Sequence, residues 1–388
     1  MRNNKPGAAS ALVGASLALM TCAASAQQGV TDNEVLLGEV VPLSGAASVG
    51  SLGLSAGTKM AIAEANAAGG INGRKLRLIS EDDGYNVTRT VQGARKLMTS
   101  DKVFALTATS GPAGSLAILS MIKQAGIPAV NVLSFPTTFW DPIVPNIFVA
   151  GATHQDSAEQ LAVQLSKRFP KKKWGIVTQD DETGSLLREG FEKAAKSLNL
   201  DVVYRSIYRK GQKDFSSEML AASKAGIEIL FAGGVLTENV AMVKEAERLE
   251  MKIPIGLSWI GRQSSATLQM MGSSLDNVYL IDYVVSDESP QGRAFQARAR
   301  ALLGDDDFKY VNRFSLPGYA GTKALIEAMN RCGKALTWTC TIKQMEGLKN
   351  YETNVMAPIS FSPQSHFSRQ ALMLMKANPK TFTYQPLD

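Results

Sequence analysis

Two long stretches of the chain repeat one pattern: a short apolar run, then an amphipathic segment of ten or more residues. In the first stretch the pattern predicts strands over 35–41, 76–79, 103–106 and 128–132. Its first helix carries apolar positions at Leu54, Met60, Ile62 and Ala65 and ends at the turn Gly69-Gly70-Ile71-Asn72-Gly73. Two more helices are predicted near 88–98 and 116–124. The second stretch predicts strands over 174–178, 202–207, 227–231 and 253–256, with helices near 155–168, 186–198, 215–224 and 239–250. Strands this short, separated by helices, form parallel sheets covered on both faces. Right-handed crossovers then make each stretch a doubly wound α/β unit. Such units bind ligands in the loops at the carboxyl ends of their strands. Those loops are 42–53, 107–115 and 133–140 in the first unit, and 179–184, 207–214 and 233–238 in the second. Three helices predicted near 292–302, 318–329 and 339–348 lack a clear strand alternation and are assigned mostly to the first unit.

The N-terminus predicts export. Arg2 and Lys5 precede an apolar run over 11–20, too short to span a membrane. Ala24-Ser25-Ala26 then offers a small-x-small cleavage pattern, which places the cut after Ala26 and the mature chain in the periplasm. The alternative is lipid attachment at Cys22, although Thr21 stands where a smaller residue is usual. The formal charge of +6 falls to +4 without Arg2 and Lys5, and the excess is spread along the chain. Lys171-Lys172-Lys173 is the one dense basic run and reads as a solvated loop, so no nucleic-acid partner is expected. Cleavage leaves Cys332 and Cys340; an even count in an oxidising compartment predicts a disulfide, with two buried thiols as the alternative.

The motifs of chemistry fail one by one. Gly53-Leu54-Ser55-Ala56-Gly57 matches G-x-S-x-G, but its serine falls inside a helical pattern instead of on a strand-to-helix turn. A secreted serine hydrolase using Ser55 is therefore the reading from another class, with His154 and His366 as the two histidines available for a base. There is no P-loop, no dinucleotide fingerprint and no metal-ligand spacing, so neither cofactor nor metal nor catalysis is expected. Glu81-Asp82-Asp83 and Gln179-Asp180-Asp181-Glu182 are acids at strand ends, suited to a cation, a ligand amine or a solvated turn. Glu238 follows Gly233-Gly234 and opens a helix; it either complements the helix dipole or accepts from a ligand ammonium.

An ordered set of short motifs carries a resemblance. Val40-Val41-Pro42-Leu43-Ser44-Gly45 is followed by Ala65-Asn66-Ala67-Ala68-Gly69-Gly70-Ile71-Asn72-Gly73 and then by Glu81-Asp82-Asp83. Gly211-Gln212-Lys213-Asp214-Phe215-Ser216, Ala232-Gly233-Gly234 and Pro358-Ile359-Ser360-Phe361-Ser362 come later in the same order. The whole mature chain resembles type I periplasmic substrate-binding proteins of ABC importers, of the leucine/isoleucine/valine-binding class. The resemblance implies two doubly wound parallel-sheet lobes joined by a three-strand hinge: 27–151 with 282–356, and 152–281 with 357–388. It implies a monomer that holds a small carboxylate-bearing ligand, most simply an amino acid, and delivers it to a membrane permease. An aromatic acid or a small amide on the same fold is the alternative. The ligand carboxylate would meet Ser110, Gly111, Ala113 and Ser115, with Ser134 and Phe135 completing that pocket and Glu238 taking the ammonium. The chain departs from the class at Gly50, Thr183, Val235 and Leu236, where aromatic or tyrosine walls are usual. Phe135, Trp140, Trp259 and Tyr319 are the residues available to rebuild them.

Overall fold

The structure is a computed structural model that describes residues 27–45, 47–109, 111–131, 137–262 and 264–387, together with Met1. The expected signal segment, Ser110, Ser134 and Phe135 lie outside the described residues. The first lobe begins with β1 (Glu34–Val41), α1 (Ser48–Ala67), β2 (Lys75–Asp82), α2 (Val87–Arg95), β3 (Ala105–Thr109), α3 (Pro112–Ala125), β4 (Ala129–Asn131) and β5 (Ile147–Gly151). The chain then enters the second lobe with α4 (His154–Arg168), β6 (Lys173–Gln179), α5 (Glu182–Leu198), β7 (Asp201–Tyr208) and α6 (Ser216–Lys224). There follow β8 (Ile229–Gly233), α7 (Leu236–Arg248), β9 (Ile255–Leu257), α8 (Ser265–Gln269) and β10 (Val278–Asp282). It returns for α9 (Pro290–Leu302), α10 (Asp305–Phe308), α11 (Ser315–Arg331) and α12 (Trp338–Glu346), then ends with β11 (Phe367–Arg369), β12 (Met373–Asn378) and β13 (Thr383–Pro386).

Local chemistry sets several of these boundaries. Asn86, Thr153, Asp181, Ser289 and Thr337 each cap the helix that follows by accepting a backbone N–H. Gly126 and Asn199 close α3 and α5 in the left-handed conformation.

The first sheet runs β2-β1-β3-β4-β5-β11, all parallel. The second runs β7-β6-β8-β9-β10-β12-β13, parallel as far as β10 and antiparallel beyond. Each sheet is buried on both faces. Leu54, Met60, Phe295, Leu325 and Met345 pack one face of the first, and Leu97, Ile118 and Ile122 the other. Met219, Met242 and Leu275 cover one face of the second, and Leu161, Leu187 and Phe191 the other. The fold is thus α/β, with two doubly wound lobes, as the alternation predicts. The tail helices α9, α11 and α12 join the first core through Phe295, Leu325 and Met345.

Three features differ from the sequence reading. β5 and β10 are buried along their whole length, so their runs carry neither period and escape a pattern search. β11 to β13 also escape it. Residues 357–369, expected in the second lobe, stay with the first, because Phe367–Arg369 pairs with β5. Three crossovers therefore join the lobes: between β5 and α4, between β10 and α9, and between β11 and β12. Cys332 and Cys340 form a disulfide between α11 and α12. No helix among the described residues is long and apolar enough to cross a membrane.

Candidate functional site

Strand order reverses on either side of β1 in one lobe and β6 in the other. The crevices at those two switch points, outside the carboxyl ends, are where this kind of sheet takes ligands. They face each other across one cleft with about 1150 Å³ of empty space, part of it open to solvent. From the first lobe it is lined by Pro42, by Ala47, Val49, Gly50 and Ser51 around the start of α1, by Tyr85, by Gly111 and Pro112, and by Phe314 just before α11. The second lobe contributes His154, Gln179, Thr183, Lys210, Gly211, Val235 to Glu238, Trp259 and Ile260.

The first-lobe wall is organised by acids that close on their own loop. Asp82 accepts from the Leu43 amide at 2.9 Å, the Ser44 hydroxyl at 2.6 Å and the Gly84 amide at 2.9 Å. Partial burial opposes its ionisation, but these hydrogen bonds, led by Ser44, outweigh it and hold the carboxyl at about 2. Asp83 is buried, accepts from the Tyr85 amide at 2.8 Å and from the Thr90 hydroxyl at 2.8 Å, and so turns Tyr85 through φ 62°. Glu81 pairs with Lys96 at 2.5 Å. The acid triplet at the end of β2 is thus committed to structure.

Tyr85 lies over Gly111, where an added Cβ would come within 2.9 Å of its ring. From the opposite lobe, the Lys210 ammonium sits 3.5 Å from the centre of that ring, so the lobes touch at the rim. Burial, and then Asp181, push the Tyr85 phenol up; burial lowers the Lys210 ammonium. α1 and α3 begin at Ala47 and Gly111 without a capping side chain, which leaves the positive ends of both helices facing the cleft.

On the facing wall, Glu238 is the third residue of α7 and only 4% exposed. It accepts from the Thr237 hydroxyl at 2.7 Å, and among the described residues it has no basic group at ion-pair distance. Trp259 is fully buried and stacks on His154 with ring centres 5.0 Å apart. Desolvation drives His154 down to about 3, so its ring is neutral. Behind Trp259, the Arg313 guanidinium lies 4.9 Å from its ring.

Of the site residues expected from sequence, Gly111, Thr183, Glu238 and Trp259 line this cleft. Ala113 lines a small adjoining cavity with Tyr85 and Lys210. Ser115 lies below the loop, its hydroxyl 2.8 Å from that of Thr109. Tyr319 is not a cleft wall: it packs on Phe295 inside the first lobe and donates to Glu64 at 2.7 Å. Trp140 stacks on Phe367, also away from the cleft. Ser55 is buried in α1 and donates to Glu39 at 2.5 Å; His154 and His366 are engaged with Trp259 and with Phe148 and Glu346. The turn that a nucleophilic serine requires is absent at Ser55.

Sequence reasoning missed Tyr85 and Phe314; it reached Gln179 only as part of the strand-end loop 179–184, and His154 only as a candidate base. The Phe314 ring lies 3.5 Å from where a Gly50 Cβ would stand, so it fills the wall that Gly50 leaves open. Its signal was the small residue at 50, which needs a bulky neighbour.

The chain was compared with known proteins. The family model described as periplasmic binding protein matches residues 34–381. Leu/Ile/Val-binding protein homolog 8 of Brucella suis biovar 1 (strain 1330) is 25% identical over 334 residues, covering 82% of this chain and 81% of that protein. The structure of a branched chain amino acid ABC transporter from Thermus thermophilus with bound valine aligns with a TM-score of 0.83 at 17% identity, covering 92% of this chain and 96% of that one. A solute binding protein of an ABC transporter from R. palustris, in complex with 4-hydroxybenzoate, aligns with a TM-score of 0.79 at 17% identity over the same shares, 92% and 96%. With two facing switch-point crevices and a family match over nearly all of the described chain, this protein belongs to the periplasmic binding protein family.

Proposed function

We propose that the chain captures a small carboxylate-bearing ligand, an amino acid of the branched-chain type or a relative, and delivers it to an ABC permease. One observation carries this reading: Glu238 is a buried carboxylate in the cleft with no cation at ion-pair distance among the described residues, Lys210 acting on it only from farther off. A buried charge without a partner is costly, and a ligand ammonium supplies one. The uncapped starts of α1 and α3 across the cleft suit the other end of a zwitterion. Ligand docks first on the loop around Gly111, with Ser110, Ser134 and Phe135 as its further contacts. Closure then adds Glu238, Thr183 and Trp259, and only this difference in contacts favours the closed form.

Titration calorimetry against leucine, valine and related amino acids tests this. Glu238→Gln is expected to weaken binding by about 1.5–3 kcal/mol, the scale of a hydrogen bond to a charged group. Unchanged affinity removes Glu238 from the site. The exported state is tested separately: a mature protein starting at Gln27 supports cleavage after Ala26. A second reading, an aromatic carboxylate, draws on the rings of Tyr85, Trp259 and Phe314 in the cleft and on the R. palustris relative with its bound 4-hydroxybenzoate.

A further inference from the structure

Tyr85 and Lys210 belong to different lobes, yet the Lys210 ammonium stands 3.5 Å from the centre of the Tyr85 ring. Between lobes joined by a hinge, such a contact exists only at the closure angle that makes it. Its free energy therefore counts toward the closed form and is lost on opening. The ligand shifts closure by its own contacts. This contact belongs to the protein and sets where the equilibrium stands without the ligand.

Both side chains are placed before they meet. Tyr85 has φ 62°, a conformation rare for a bulky residue, and the buried Asp83 fixes it by accepting from the Tyr85 amide. Its ring lies over Gly111, where a Cβ would come within 2.9 Å, so the glycine makes room for it. Lys210 stands on a turn closed by the Gln212 amide, which donates to the Arg209 carbonyl at 3.0 Å, with Gly211 at φ 79°. Among the described residues no carboxylate lies at ion-pair distance from the Lys210 ammonium; Asp181 and Glu238 act on it from farther off. The ring face is thus the group it meets. Tyr85 and Lys210 are also the two residues shared by the cleft and the small cavity beside it, so the pair bridges the rim from wall to wall. We infer that Tyr85 and Lys210 are a positioning pair that holds the lobes closed over a ligand and so sets how long the ligand stays. They act through each other, and the inference rests on capture by closure, whichever solute is captured. The contact is made only after closure, so it slows opening and dissociation and leaves association alone.

Single-molecule energy transfer on the mature protein tests it without any ligand. Dyes go on Lys123→Cys of α3 and Lys196→Cys of α5, exposed positions on opposite lobes, the native cysteines being paired. The parent is expected to show a closed fraction that opens and recloses. Tyr85→Leu and Lys210→Met are each expected to shorten the closed lifetime about fivefold, the scale of a partly solvated cation–π contact. The double variant is expected to lose no more than either single one, because both changes remove the same contact. Tyr85→Phe and Lys210→Arg keep a ring and a cation and are expected to stay within about twofold of the parent. A parent that never closes overturns the inference. So do unchanged lifetimes, losses that multiply in the double variant, or conservative variants as short-lived as Tyr85→Leu and Lys210→Met. Stopped-flow binding of leucine, or of 4-hydroxybenzoate where leucine does not bind, reads the consequence. Dissociation is expected to be about fivefold faster in Lys210→Met, with association within about twofold of the parent. Shorter closure with unchanged dissociation overturns the pair's hold on the ligand. Binding of neither probe counts against the proposed ligand classes, and the closed lifetimes still decide the pair.

Discussion

His154 carries a pH dependence set by its burial. The unfolded side chain titrates at 6.5, and the folded one is held down at about 3 by desolvation. Between those values the unfolded state binds a proton that the folded state refuses, so stability falls as pH drops below 6.5. The loss is about 1.4 kcal/mol per pH unit until pH approaches 3, where both states are protonated. His154→Phe keeps a ring against Trp259 and removes the titration. Urea denaturation between pH 6.5 and 4.5 is expected to show about 2 kcal/mol less acid loss in the variant than in the parent. Equal acid limbs would show that the imidazole gains a proton or a partner in the folded state. This residue also shows where a sequence stops informing. Glu238, Thr183 and Gly111 follow recognisable strands, so their positions at the cleft were legible. His154 follows β5, whose uniform burial hides it, and Tyr85 reaches the cleft only through the turn that Asp83 imposes. Tyr319 had the right chemistry for a wall, but its partner Glu64 lies across α1, a pairing visible only in three dimensions.

At the scale of elements, the pattern Gly53-Leu54-Ser55-Ala56-Gly57 turns out to be a packing device. α1 and α11 cross closely here: Ser315 donates to the Gly53 carbonyl at 2.7 Å, and Asn312 to the Val49 carbonyl at 3.0 Å. A Cβ on Gly57 would stand 2.0 Å from the Ser315 carbonyl oxygen and 2.8 Å from the Tyr319 amide nitrogen. Both are backbone atoms, which cannot swing aside. Gly57→Ala therefore sets two effects against each other. Alanine favours a helix by about 1 kcal/mol over glycine, and overpacking against backbone costs about 1–3 kcal/mol or more. The contact is severe enough that packing is expected to win, with a net loss of about 1–2 kcal/mol in a denaturation midpoint analysis. A stabilised variant would mean that α11 can move away freely. The alternation of strand and helix made most of both sheets legible, since period 2, period 3.6 and Gly-rich turns are local signals. The helices of the tail were legible as helices; that α11 lies against α1 follows from small residues meeting across long sequence distance.

For the whole molecule, the second crossover holds the lobes together through a buried charge cluster. Asp282 ends β10 and is fully buried. It accepts from Arg262, which follows β9 in the second lobe, at 2.9 Å, and from Arg313, which precedes α11 in the first, at 3.0 Å. Burial would raise the Asp282 carboxyl, but the two guanidinium groups, Arg313 foremost, hold it below the ordinary carboxylate range. Arg313 also lies over the rings of Trp259 and Tyr283, so the same cluster supports the floor of the cleft. Asp282→Asn removes the one fully buried anion between two buried cations. Breaking a buried pair this way costs about 3–5 kcal/mol, more than the pair itself contributes, because Arg313 is left uncompensated while Arg262 keeps the partly exposed Asp287 at 3.3 Å. The variant is expected to lose about that much in urea denaturation. It is also expected to loosen Trp259, read as a change in its fluorescence before unfolding begins. Asp282→Asn combined with Arg313→Met should recover part of the loss, since the second change removes the stranded charge; a double variant no more stable than the single would mean that the cluster acts through packing alone. The three crossovers explain why such a cluster is needed. Each lobe has its own sheet and its own cores, and between the hinge and the Tyr85–Lys210 contact at the rim, the relation of one lobe to the other depends on the few groups that reach across. A change in Asp282 thus reaches the ligand without touching it, through the geometry of closure.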